Sequence, residues 1–158
     1  MSDLKLKFDS EGGFYDLNLE AGDIERENGI KTSVLVSILT DRIILDESEQ
    51  PNGPEDRGGF WGDDLQRIKK DYIGSKAWAS FRDKKTPSNV NTLKERLEEC
   101  LKWLILDGVA SEVIVNIIGA ESENADFGFS IDIIKPTGPE NFKFDLNWEA
   151  ERIEVYEF

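Results

Sequence analysis

The chain has no histidine, one cysteine and one methionine in 158 residues. No apolar run approaches the ~20 residues needed to span a bilayer. Each absence removes a class of function. Without histidine there is no Ser-His-Asp or Cys-His arrangement, and the usual general base and metal ligand are missing. A zinc site needs clustered Cys and His, and Cys100 stands alone. It also has no partner for an intrachain disulfide. It falls within an apolar helical pattern and reads as a small core residue. No glycine-rich phosphate loop occurs, since Gly58-Gly59 alone is too little. No cofactor is therefore expected. Met1 to Phe8 alternates charged and apolar residues and lacks the apolar core of a signal peptide. The chain is read as kept in the cytoplasm, or packaged into something assembled there.

Positive charge is also scarce. Nineteen basic residues face 33 acidic ones, a net charge of −14. Such a surface repels phosphate backbones and anionic lipid, so neither nucleic acid nor membrane is an expected partner. It serves solubility, or it docks a basic partner.

Carboxylates leave one route to catalysis. Asp63-Asp64, Glu98-Glu99 and Glu121/Glu123/Asp126 are the candidates. A glycosidase holds two carboxylates roughly 5–10 Å apart. With 33 in the chain, neighbours arise by chance. Glu98-Glu99 sits on a helix whose wet face needs charge. Glu121/Glu123/Asp126 could hold calcium, but its spacing is not that of an EF-hand loop, and it reads as a solvated turn.

What is present is a core-forming chain, 39% apolar with four Trp and nine Phe. Its length fits one α+β domain, residues 1–158. Leu4, Leu6 and Phe8, then Tyr15, Leu17 and Leu19, alternate with polar residues around the turn Ser10-Glu11-Gly12-Gly13, which predicts an N-terminal β-hairpin. Asp23 to Gly29 reads as a polar connection. Ile30, Val34, Ile38 and Leu39 predict a helix over 30–43. Asp46 to Gly59 is a long loop. Trp61 to Lys85 reads as a helix in two pieces, with Leu65, Ile68 and Tyr72 on one face and a break at Gly74. Thr86-Pro87-Ser88 is a second break. The strongest helix spans Thr92–Leu106, with Leu93, Leu97, Cys100, Leu101 and Leu104 as its buried stripe, Thr92 and Glu95 as a capping box and Gly108 as a left-handed stop. Three to four helices thus precede an antiparallel sheet of three or more strands. Its strands are Val113–Ile118, Phe127–Ile133 and Phe142–Trp148, with turns at Glu121–Asp126 and Pro136–Glu140.

The informative motifs are aromatic. Asp56-Arg57-Gly58-Gly59-Phe60-Trp61-Gly62-Asp63 sets two large rings between glycines. The rings plug this domain's own core or a partner, and burial is expected, with Asp63 capping the following helix. Thr40-Asp41-Arg42 ends the first helix. Arg42 is placed to bond the last carbonyls or pair near Asp63. Both segments read as internal architecture or as partner contact.

These segments form an ordered series. Thr32 through Thr40-Asp41-Arg42 is followed by Gly59-Phe60-Trp61-Gly62-Asp63 and by Gly74-Ser75-Lys76-Ala77-Trp78. Cys100-Leu101-Lys102-Trp103-Leu104 and Asp107-Gly108-Val109-Ala110 complete it. The series resembles the small tail protein family of Mu-like bacteriophages and prophages, and is similar to the small wedge proteins of other contractile machines. It covers roughly residues 20 to 115. Phe60 departs from it, standing where a second tryptophan is expected. The resemblance implies a baseplate component of a virion tail, joining other baseplate proteins and the tail sheath through protein–protein contacts. It implies Thr40, Asp41, Arg42, Gly59, Phe60, Trp61, Gly62, Asp63, Gly74, Ser75, Trp78, Trp103, Asp107 and Gly108 as family-motif or interface positions. The isolated chain is expected to be monomeric or weakly self-associating, with partners adding strands at an open sheet edge. The N-terminal hairpin or the segment Ile153 to Phe158 could instead block that edge. The alternative function is a carboxylate-dependent cell-wall hydrolase of the tail.

Overall fold

The computed structural model describes residues 3–9, 14–27, 29–51, 53, 55–65, 71–119, 125–149 and 151–157. The chain forms two compact units, Met1–Val36 and Ser37–Phe158.

In the first unit, six short strands form three two-stranded antiparallel ladders. β1 (Asp3–Leu4) pairs with β6 (Arg26–Glu27), β2 (Leu6–Asp9) with β3 (Phe14–Leu17), and β4 (Leu19–Glu20) with β5 (Asp23–Ile24). The ladders meet at Lys5, Asn18 and Glu25. Lys5 N–H donates to the Glu25 carbonyl (2.9 Å), Glu25 N–H to Asn18 (2.8 Å), and Asn18 N–H to Lys5 (3.0 Å), closing a ring. Side chains repeat the triangle. The Lys5 ammonium donates to Glu25 Oε1 at 2.7 Å and the Asn18 amide to Glu25 Oε2. Lys5, and then Asn18, hold the Glu25 carboxyl below its usual pKa. The expected hairpin is β2–β3, and its turn at 10–13 lies outside the described residues. The expected polar connection from Asp23 is corrected: β5 and β6 occupy Asp23–Glu27. Ala21 and Gly22 both take positive φ (51° and 85°), the geometry of a tight hairpin turn. Alanine gives no sequence signal for it.

Helix α1 (Lys31–Leu39) runs across the boundary between the units. It stops four residues before the expected Ile43, because Thr40 and Arg42 turn their backbone groups to Ser75. Within the first unit, Thr32 Oγ1 donates to the Leu4 carbonyl at 2.6 Å, tying the helix start to β1.

The second unit is helices on one sheet face. α2 is Ala77–Phe81, α3 Pro87–Cys100 and α4 Trp103–Leu106. The break at Thr86-Pro87-Ser88 is corrected to a helix start. Thr86 Oγ1 accepts from Asn89 N–H (3.2 Å) and Pro87 fills the first position, where a missing N–H costs nothing. Thr92 is thus inside α3, and its hydroxyl bonds back to the Ser88 carbonyl. The single helix expected to reach Leu106 breaks at Leu101–Lys102 through tighter 3-10 bonds, Lys102 N–H to Glu99 O and Leu104 N–H to Leu101 O. Gly108 (φ 69°) is the left-handed stop, with Val109 and Ala110 N–H both on the Leu104 carbonyl.

β7 (Glu112–Ile118), β8 (Phe127–Lys135), β9 (Gly138–Asn147) and β10 (Arg152–Glu157) form an antiparallel meander in the order β10-β9-β8-β7. The Pro136–Glu140 turn is shorter than expected, since Gly138–Glu140 already pairs with β8. Period-2 patterning holds. Phe129, Ile131, Ile133, Phe142, Phe144 and Leu146 are fully buried, as are Leu93, Leu97, Leu101 and Leu104 of the helical stripe. Cys100 is buried with them, and desolvation pushes its thiol to about 12. Phe129 and Phe144, opposite each other in register, stack at 4.9 Å.

Phe144→Ala should cost about 3–5 kcal/mol in urea denaturation, whereas a loss below about 1 kcal/mol would show that this stack does not hold the core. Asp126 offers a pH test. Its carboxylate accepts from Lys85 Nζ and from Trp148 N–H, both at 2.7 Å. Lys85 first, then Trp148, lower its pKa below the ordinary 3.8. A depressed pKa gives stability that is complete above 3.8 and lost as pH falls through the folded value. Asp126→Asn should therefore be less stable than the parent at pH 7, by under about 1 kcal/mol. The gap should close as thermal melts are taken to acid.

Candidate functional site

The family-motif residues converge around one backbone bridge. Ser75 N–H donates to the Thr40 carbonyl (2.8 Å) and Arg42 N–H to the Ser75 carbonyl (3.0 Å), a parallel pairing of Asp41 with Ser75. Gly74 makes it possible. Its φ is 99°, and a Cβ there would collide with the Thr40 carbonyl oxygen. Trp78 is built onto the same point, its Nε1 donating to the Arg42 carbonyl at 3.0 Å. Gly58 (φ 60°) packs so close to that indole that a Cβ would lie 2.5 Å from it, and Gly59 (φ 114°) lies against Ile43. Ile44 N–H donates to the Arg57 carbonyl, which brings the 46–59 loop back to this strand (2.8 Å). Trp103 Nε1 donates to Ser37 Oγ at 3.1 Å, and Asp107 ends α4 before Gly108. Thr40, Arg42, Gly59, Gly74, Ser75, Trp78, Trp103, Asp107 and Gly108 therefore do structural work, mostly through the backbone. Arg42 contributes its N–H and carbonyl to this bridge.

The Gly59–Asp63 segment is corrected. Trp61 is 77% exposed, and Phe60, half-buried, leans on it at 5.3 Å. Trp61–Leu65 is one 3-10 turn, Leu65 is 76% exposed, and Ile68 lies outside the described residues. Asp63 lies inside the turn, and its Oδ1 accepts from Ile73 N–H (3.3 Å), folding the chain back on itself; residues 66 to 70 of the helix it is expected to cap lie outside the described residues. Gly62 sits where a Cβ would strike the Phe60 ring.

The carboxylate candidates have ordinary ties. Glu98 pairs with Lys94 along α3 (3.6 Å), Glu99 lies 3.8 Å from Lys76, and Asp126 holds Lys85. Glu121 and Glu123 lie outside the described residues.

Sequence reasoning missed a cavity of about 170 Å³ lined by Ile38, Leu39, Asp41, Ala77, Trp78, Phe81, Arg82, Glu151 and Ile153. Arg82 Nη1 and Glu151 Oε1 pair at 3.2 Å across it. Glu151 takes the left-handed conformation (φ 52°) in the turn before β10, and no local pattern announces that. Asp41 reaches solvent at the cavity mouth, yet the protein around its carboxylate raises its pKa by desolvation, partly offset by Arg82 and reinforced by Glu151.

The motif residues from Thr40 to Gly108 fall within a single family match: residues 30–140 fit the family described as phage protein GP46. The chain belongs to the phage GP46 family. Baseplate protein gp46 of Escherichia phage Mu is 33% identical over 115 residues, covering 73% of this chain and 76% of that protein. Mu-like prophage FluMu protein gp46 of Haemophilus influenzae is 27% identical over 149 residues, covering 94% and 98%. The resemblance to Mu-like phage proteins is thus shown.

Two substitutions separate architecture from surface. Gly74→Ala should lose about 2–4 kcal/mol, since both φ and the Thr40 carbonyl oppose a side chain. Trp61→Ala should change stability by less than about 0.5 kcal/mol. Equal losses in chemical denaturation would contradict this division.

Proposed function

We propose that this GP46-family chain is a structural component of a contractile-tail baseplate, working through protein–protein contacts with other baseplate proteins and with the tail sheath. The observation that carries the reading is the likeness to a Mu protein named as a baseplate protein, across 73% of this chain. The surface supports it. An exposed tryptophan backed by a second ring is the type of side chain that anchors protein interfaces, because it buries large area at little entropic cost. β7 ends the meander, and among the described residues no strand pairs with its outer side. Its exposed Ile114 and Ile117 and its free backbone edge suit strand addition. The tail segment from Arg152 covers β9 but becomes the opposite edge itself. The acidic surface then orients basic partners and makes docking salt-sensitive.

The full chain should co-purify with the tail proteins produced alongside it, and Trp61→Ala should weaken that capture while leaving the melting temperature in place. The β7 amides should exchange hydrogen more slowly in the complex than in the isolated chain. Undiminished capture by the variant would remove Trp61 from the interface, and unchanged β7 exchange would remove strand addition.

A further inference from the structure

Asp41 enters the fold through its backbone, in the bridge with Ser75. Its carboxylate makes no hydrogen bond or ion pair with a described side chain; the Arg82 guanidinium is bonded to Glu151 and acts on Asp41 through its charge alone. Desolvation outweighs the attraction of Arg82, so the ionised carboxylate weakens the native state. The folded pKa is raised, so stability falls as pH climbs from the ordinary carboxylate value through the raised one. A charge kept at a stability cost, at the mouth of a cavity, serves something that arrives later.

The cavity defines that visitor. Its volume of about 170 Å³ is below the roughly 300–1,000 Å³ of small-molecule sites, and it fits a single side chain. Its walls are Ile38, Leu39 and Phe81 with the indole of Trp78, and its charged rim is Asp41, Glu151 and Arg82, one net negative charge. A slot of mixed polar and apolar lining, with an aromatic wall and one carboxylate in excess, is complementary to a long side chain with a flat cation. Guanidinium suits it better than ammonium, being planar, weakly hydrated and able to stack on a ring. A second copy of the chain is disfavoured, since each copy carries −14. We propose that this cavity receives an arginine side chain from a different, basic protein, its guanidinium on Asp41 and its plane along Trp78. The site stands on this geometry and does not depend on the baseplate reading.

The test is a ¹⁵N NMR titration of the full chain with the peptide acetyl-Gly-Arg-Gly-amide, beside peptides with citrulline or lysine at the centre. The arginine peptide should shift the Trp78 indole N–H and the Asp41 and Glu151 amides. Citrulline, nearly the same shape without charge, should leave them in place, and lysine should bind more weakly. Asp41→Asn should melt no lower than the parent and bind the arginine peptide about tenfold more weakly. Equal shifts from citrulline, equal affinity for lysine, shifts confined to other surfaces, or full binding by a folded Asp41→Asn would each overturn the assignment. The three-peptide comparison uses the unaltered protein, so it decides the matter whatever the variant does.

Discussion

The Thr40 carbonyl occupies the space where residue 74 would carry a side chain, and the second unit's irregular half is arranged around that contact. Two hydrogen bonds of 2.8 and 3.0 Å join the chain just after α1 to the chain just before α2, over 30 residues of intervening loop. Closing so long a loop is entropically unfavourable. Two bonds alone would not offset it. Trp78 adds its indole N–H to the Arg42 carbonyl, Gln50 its amide to the Ile44 carbonyl, and Lys76 its ammonium to Glu49 at 2.8 Å. The sequence separation is bridged by side chains that finish backbone groups left unpaired where α1 ends.

This arrangement gives most of the motif residues a role inside the fold. Glycine, serine and tryptophan at 74, 75 and 78 are there for φ, for a backbone pairing and for an indole donor. Two motif side chains escape that accounting. Trp61 is exposed to solvent, and Asp41 has its backbone in the bridge and its carboxylate at a cavity mouth. In both, the fold gains little from the side-chain chemistry and exposes it.

The sheet follows a different logic. Its inner face is stacked rings and branched aliphatics in strict alternation, and its helices present Leu93, Leu97, Leu101 and Leu104 to it. Trp148 clamps its far end, edge-on to Phe81 at 5.3 Å with its Nε1 on the Asp83 carbonyl. Rigid aromatic packing of this kind leaves the loops and the edge strands as the surfaces able to accept other chains.

The α+β class, the strand faces of β7, β8 and β9, the leucine stripe of α3 and the stop at Gly108 were legible in the residues alone, because period, turn chemistry and burial agree there. Helix boundaries failed where a local rule was outvoted: Thr92 and Glu95 look like a cap, but Thr86 with Pro87 starts the helix a turn and a half sooner. The strands at Asp23–Glu27 were invisible because Ala21 takes a positive φ only under the constraint of the ladder ring around Lys5, Asn18 and Glu25. Composition by itself determined that chemistry built on histidine, a zinc cluster or an intrachain disulfide is closed to this chain, and that it is strongly acidic. Only tertiary structure decided that Trp61 faces solvent and that Asp41 meets Arg82 and Glu151, residues 41 and 110 positions away. Periodicity reports which face of an element is apolar; which distant elements share a cavity depends on chain closure, and no local pattern encodes it.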